Sequence, residues 1–82
     1  MSRPHHLLAP VAPDARAQLL DRFNSVADPE TRTRYQMVLL ATDRQVSSAE
    51  IASLVFRSHD TVERVLRRFE EVGLDAVPSL PI

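Results

Sequence analysis

The stretch RSHDTVERVLRR, residues 57–68, concentrates the side chains able to do chemistry in this chain. It holds Arg57, Arg64, Arg67 and Arg68, the acids Asp60 and Glu63, the hydroxyl of Ser58 and the imidazole of His59. A guanidinium group is a planar fork of donors that matches guanine edges and phosphate oxygens. Wound as a helix at about 100° per residue, Asp60, Glu63, Arg64 and Arg67 take the i, i+3, i+4, i+7 spacing of one ridge. Arg64 and Arg67 lie within two turns of the helix start, where base edges can be reached. Arg68 points sideways, as a phosphate contact would. Ser58 and the first free amides can accept a phosphate, with His59 as a further donor and Arg57 as a cation in the turn. Two readings of the ridge stay open on these residues alone. One is a solvated face with an Asp60–Arg64 ion pair worth about 0.2–0.5 kcal/mol. The other is a ridge that reads base edges from the major groove.

The elements that must position this ridge are legible around it. Val62, Val65, Leu66, Phe69 and Val72 form an apolar stripe on the opposite side of the same helix. Burial of each contributes roughly 1.5–3 kcal/mol, so this stripe holds the helix to the body. Ser58 caps the helix, which is expected to run to Val72. Gly73, the only glycine in the chain, falls just past its end, where a left-handed residue commonly stops a helix. Upstream, Ser47 and Glu50 have capping-box spacing and start a short helix through Ile51, Ala52, Leu54 and Val55. Phe56 and Arg57 make the turn between the two. A short helix, a tight turn and a second helix crossing it closely are the parts of a helix-turn-helix. Ala52 is small enough to permit the close crossing, with Val55, Val62 and Leu66 lining the joint.

Two further helices are expected before this pair. Ala15, Leu19, Leu20, Phe23 and Val26 give an amphipathic stripe that begins near Pro13 or Asp14 and ends before Asp28. Asp28 as cap and Pro29 in the first helical position start the next helix, which runs to about Thr42. Tyr35, Val38, Leu39 and Thr42 share a face that Met37, Leu40 and Ala41 widen. Residues 1–13, with three prolines, read as an extended arm. Residues 14–77 read as one domain and 78–82 as a tail or linker. Leu74 and Val77 are expected to pack back. No strand signal is present.

Composition narrows the class. With 82 residues the chain supports one small core and no second domain. It has no cysteine, so no disulfide or thiolate-metal site contributes. All basic residues are arginine, yet the formal net charge is −1, so any basic surface must be local. Asp14, Asp21, Asp28 and Glu30 make the first half acidic, a surface expected to face away from DNA or toward a protein partner. No signal peptide or membrane span is evident, and the expectation is a cytoplasmic, nucleoid-associated protein. No catalytic constellation is evident: there is no glycine-rich phosphate loop, no cysteine nucleophile and no serine with a credible histidine base. No enzyme activity, cofactor, metal or small-molecule substrate is expected. Adjacent His5 and His6 lack partners for a metal site. Arg3 in the arm could enter a minor groove. Arg32 and Arg34 either touch backbone phosphate or pair with Asp28 and Glu30.

Ile51, Ala52, Val55, Ser58, Thr61, Val62, Phe69, Gly73 and Leu74 together carry a family resemblance. The segment 46–77 resembles the helix-turn-helix of bacterial insertion-sequence transposases of the mariner-related group. TRTRYQMVLLA upstream resembles the first helix of the same homeodomain-like three-helix unit, so the resemblance spans roughly residues 14–77. It implies a small all-α fold of four helices, the last three forming that unit. It implies recognition of a mobile element's terminal repeat in double-stranded DNA, without the catalytic domain of the family. The chain then reads as an excised DNA-binding region or a stand-alone relative. A stand-alone transcriptional regulator is the nearer alternative, and a helical protein-interaction module or homodimer is the alternative of another class. Two positions depart from the pattern. Phe56 stands where glycine is common, and a left-handed phenylalanine would cost ~1–2 kcal/mol, so a turn of different build is expected. Arg57 replaces a usually apolar residue. The residues expected at DNA are Arg64 and Arg67 on bases, with Asp60 orienting Arg64 or accepting from cytosine and Glu63 on the same ridge. Arg57, Ser58, His59 and Arg68 are expected on the phosphate side.

Overall fold

The computed structural model describes residues 10–77, so the expectations for Arg3, His5, His6 and the tail 78–82 lie outside the described residues. Four helices follow one another: α1 Pro13–Ser25, α2 Pro29–Asp43, α3 Ser48–Val55 and α4 His59–Val72. One 3-10 turn, Leu74–Ala76, follows α4. The fold is a small all-α domain.

Local chemistry sets the helix starts. α1 begins with Pro13, whose missing amide hydrogen costs nothing in the first turn, and Asp14 complements the exposed amides there. Asp28 caps α2, accepting from the Thr31 amide and the Thr31 hydroxyl at 2.8 Å each. Those two bonds, the amide first, hold the Asp28 carboxyl below its ordinary range. Ser47 accepts from the Glu50 amide at 3.3 Å to start α3. Ser58 accepts from the Thr61 amide at 3.1 Å to start α4.

α2 is the hub, packing against α1, α3 and α4. A helix covered on several sides must be apolar around most of its circumference, and Tyr35, Met37, Val38, Ala41 and Thr42 are all buried. The Thr42 hydroxyl donates to the Val38 carbonyl at 2.9 Å and so brings no unsatisfied group into the core. α1 adds Leu19, fully buried, with Phe23 and, just past the helix, Val26 packed at the edge. Arg16 at its start holds Asp43 at the end of α2 through two bonds of 2.7 and 3.2 Å. Arg22 near its end reaches Asp75 of the 3-10 turn at 3.0 Å, and Tyr35 and Asp75 beside it hold the guanidinium above its ordinary value. α3 contributes Ile51, Ala52 and Val55, and α4 contributes Val62, Val65 and Leu66. Leu74 packs against this core and Val77 is fully buried within it, so the segment after α4 folds back as expected.

Four details differ from the sequence reading. Phe56 is left-handed, with φ 59° and ψ 45°, in the position where a different turn was expected. The Arg57 amide closes on the Ala52 carbonyl at 3.1 Å, the six-to-one bond that terminates a helix through a left-handed residue. The turn needs that backbone geometry whatever the side chain, and the cost of ~1–2 kcal/mol is carried by the rest of the joint. Leu54 is 55% exposed, because α3 turns that side away from α4. Val72 is 61% exposed, because the last turn of α4 runs past the end of the core. Gly73 ends α4 at φ 110°, ψ −163°, an extended positive-φ region outside the left-handed helical one. No atom would crowd a Cβ there, so backbone freedom alone calls for glycine.

Candidate nucleic-acid interface

The site is built on α4, whose two faces separate cleanly. Val62, Val65 and Leu66 are fully buried against α2 and α3. On the other side the Arg64 and Arg67 side chains stand 63% and 64% exposed. Asp60 accepts from Arg64 at 2.7 Å, and Glu63 lies 3.7 Å from Arg67. Each arginine of the ridge is thus leaned on by an acid one turn earlier, the helix-favoured order of acid before base. The ion pair expected of a solvated face and the orienting contact expected of a base-reading ridge are the same bond. It restricts the guanidinium while leaving most of its donors toward solvent.

Arg68 is half-buried on the flank. Its Nε is buried with no hydrogen-bond partner among the described residues. A phosphate therefore has access to Arg68 only through the terminal nitrogens.

Arg57 is neither a simply exposed residue nor an unattached cation. Its Nη2 donates to Glu30 Oε1 at 2.6 Å and its Nε to Oε2 at 3.4 Å. Its Nη1 also donates to the Val55 and Phe56 carbonyls at 3.3 Å each, satisfying the exposed end of α3. The pair lowers the Glu30 carboxyl below its ordinary range and raises the guanidinium above its own. Glu30 thus ties the start of α2 to the turn before α4. Of the arginines upstream, Arg32 stacks 4.4 Å over the Phe23 ring and donates to the Phe23 carbonyl at 3.1 Å. Arg34 lies close enough to lower both Asp28 and Glu30.

Ser58, His59 and Glu63 also hold positions inside the fold. The Ser58 hydroxyl caps α4 and bonds the Thr61 hydroxyl at 2.8 Å. His59 Nε2 lies 2.8 Å from the Ser48 hydroxyl and 3.4 Å from Glu63 Oε2. The Ser48 hydroxyl donates to the same Glu63 oxygen. A serine, a histidine and a carboxylate thus meet at the start of α4. The geometry is not that of a nucleophile. Imidazole and carboxylate converge on one hydroxyl instead of forming a relay through the two ring nitrogens, and Ser48 is 0% exposed. The cluster joins the first residue of α3 to the first two turns of α4 and sets their crossing.

Sequence reasoning found the ridge and its flanks but missed Glu30 and Ser48 as the groups that position Arg57, His59 and Glu63. The only local hint was Ser48 standing next to a cap it does not itself form. Among the described residues no cluster of metal-ligating side chains is present, and no helix is long and apolar enough to cross a membrane.

A family model described as a homeodomain-like domain matches residues 28–78, from the cap of α2 to just beyond the 3-10 turn. No curated protein and no solved structure matches the chain. The matched segment contains the hub helix and the helix-turn-helix joint and leaves α1 as an addition at the front. The chain therefore belongs to the homeodomain-like domain family, a helix-turn-helix family that suggests DNA binding.

Proposed function

We propose that this domain binds double-stranded DNA sequence-specifically, with α4 in the major groove. One observation carries the reading: the exposed ridge of α4, with Arg64 and Arg67 steadied by Asp60 and Glu63, lies opposite the buried stripe. A steadied guanidinium loses less freedom on reaching a guanine edge, so the ion pairs favour readout over indiscriminate charge attraction. Arg64 and Arg67 are the base readers, and Asp60 orients Arg64 or accepts from a cytosine amino group. Arg68, Ser58, His59 and Arg57 line the phosphate side, the last three from positions the fold already holds in place.

The finer context is recognition of a mobile element's terminal repeat by a transposase-derived domain. The residues from Ile51 to Leu74 that resemble mariner-related transposases support it. A stand-alone transcriptional regulator, acting alone or as a homodimer, is the second reading within DNA binding. A protein-interaction module is favoured by a different observation, the groove between α1 and α2 lined by Leu20, Phe23, Leu39 and Leu40.

Selection from random duplexes followed by sequencing tests the proposal. A preferred motif is expected, with affinity falling by roughly 0.9 log unit per log unit of salt for each phosphate contact. Arg64→Ala and Arg67→Ala are each expected to cost ~1–3 kcal/mol of binding and to relax one position of the motif. No motif and no salt-dependent binding would hand the function to the interaction module.

A further inference from the structure

Phe56 combines two unfavourable features. Its backbone is left-handed, and the residue is 89% exposed. Strained non-glycine conformations persist where the surroundings over-determine them, and they cluster at functional sites. The surroundings here do over-determine it. The Arg57 amide closes on Ala52, and the Arg57 guanidinium grips the Val55 and Phe56 carbonyls and the Glu30 carboxylate. The turn is thus rigid, but its ring packs on nothing that would offset the strain. It stands two residues before the Ser58 cap of α4, at the end of the helix that carries the ridge.

Resting on the reading of α4 as a major-groove helix, we infer that Phe56 is a specificity-determining contact to the 5-methyl group of a thymine. Apolar side chains recognise thymine through that methyl, the one apolar group displayed in the major groove. A turn held by these bonds presents an exposed aromatic ring at little entropic cost, two residues before the cap of α4. The arginines then read guanines near the middle, and the ring adds a thymine at one end.

The test uses the full chain and the duplex recovered by selection. Each thymine is replaced in turn by deoxyuridine, which removes the methyl and keeps the base pair. At one or two thymines toward one end of the site the parent is expected to lose about fourfold in affinity, the worth of one buried methyl. Phe56→Ala should lose affinity on the thymine duplex and be indifferent to deoxyuridine at those positions, the non-additivity expected of two groups in contact. Phe56→Gly relieves the backbone strain, so it should fold more stably and still bind less tightly. Arg64→Ala should keep the full deoxyuridine effect. If Phe56→Ala binds like the parent, or retains the deoxyuridine penalty, this inference fails while DNA binding through the arginines stands. If Phe56→Ala instead abolishes self-association and leaves the deoxyuridine penalty intact, the ring belongs to an interface between copies. If the parent selects no duplex, the proposed function fails and this contact with it.

Discussion

The Arg57 guanidinium lies 2.6 Å from the Glu30 carboxylate, joining the turn before α4 to the first turn of α2 across 27 residues of chain. This pair, rather than a glycine, stabilises the helix-turn-helix corner. Glu30→Gln should weaken it and speed hydrogen exchange at the Arg57 amide, which closes the turn onto Ala52. Unchanged protection of that amide would show that the backbone bond holds the corner alone.

Asp60 and Arg64 form the outermost pair of the ridge, 2.7 Å apart. Asp60→Asn removes a negative charge beside the expected phosphates and releases the guanidinium. Affinity for non-specific duplex should rise and the ratio of specific to non-specific affinity should fall. Titrations against the selected site and a scrambled one measure both. A rise in both affinities by the same factor would mean that Asp60 acts only through charge.

The buried Ser48 hydroxyl serves His59 and Glu63 together. Ser48→Ala leaves those groups short of a partner inside the joint and should destabilise the domain by ~1–3 kcal/mol in urea unfolding. Neither the parent nor the variant should hydrolyse an activated ester, since the hydroxyl is inaccessible.

Leu66 is fully buried between α4 and the rest of the core. Leu66→Ala should cost ~2–5 kcal/mol, a large share of what a domain this small has. Loss of the cooperative thermal transition is the expected outcome, with DNA binding lost as a consequence. A folded variant with undiminished stability would contradict the packing of α4 described above.

Among the described residues three carboxyls sit below their ordinary values: Glu30 through Arg57, Asp43 through Arg16 and Asp28 through the Thr31 amide and hydroxyl. A depressed carboxyl contributes stability that is fully present above its unfolded pKa and is lost as pH falls through its folded value. The unfolded values are 4.5 for Glu30 and 3.8 for the two aspartates. Stability should therefore hold down to about pH 5 and decline in stronger acid. Replacing the three by their amides should flatten that acid limb, measured as urea midpoints across pH.

Much of this protein is written locally in its sequence. Asp28, Ser47 and Ser58 each announce a helix start, because a cap and the amide it satisfies lie within one turn of each other. The stripe from Val62 to Leu66 and the ridge from Asp60 to Arg67 follow from helical rotation alone. Those signals sufficed for four helices, their order and the two faces of α4.

What they did not contain is where one helix meets another. Leu54 and Val72 have the spacing of core residues, yet no neighbouring helix covers them. Phe56 is left-handed because α3 must turn sharply to let α4 cross at Ala52, a demand set by the crossing and not by the phenylalanine. Glu30 with Arg57, and Ser48 with His59 and Glu63, are partners only once α2, α3 and α4 have packed. Capping and periodicity act over a few residues of chain. Hydrogen bonds between helices depend on distances that the packed core alone determines.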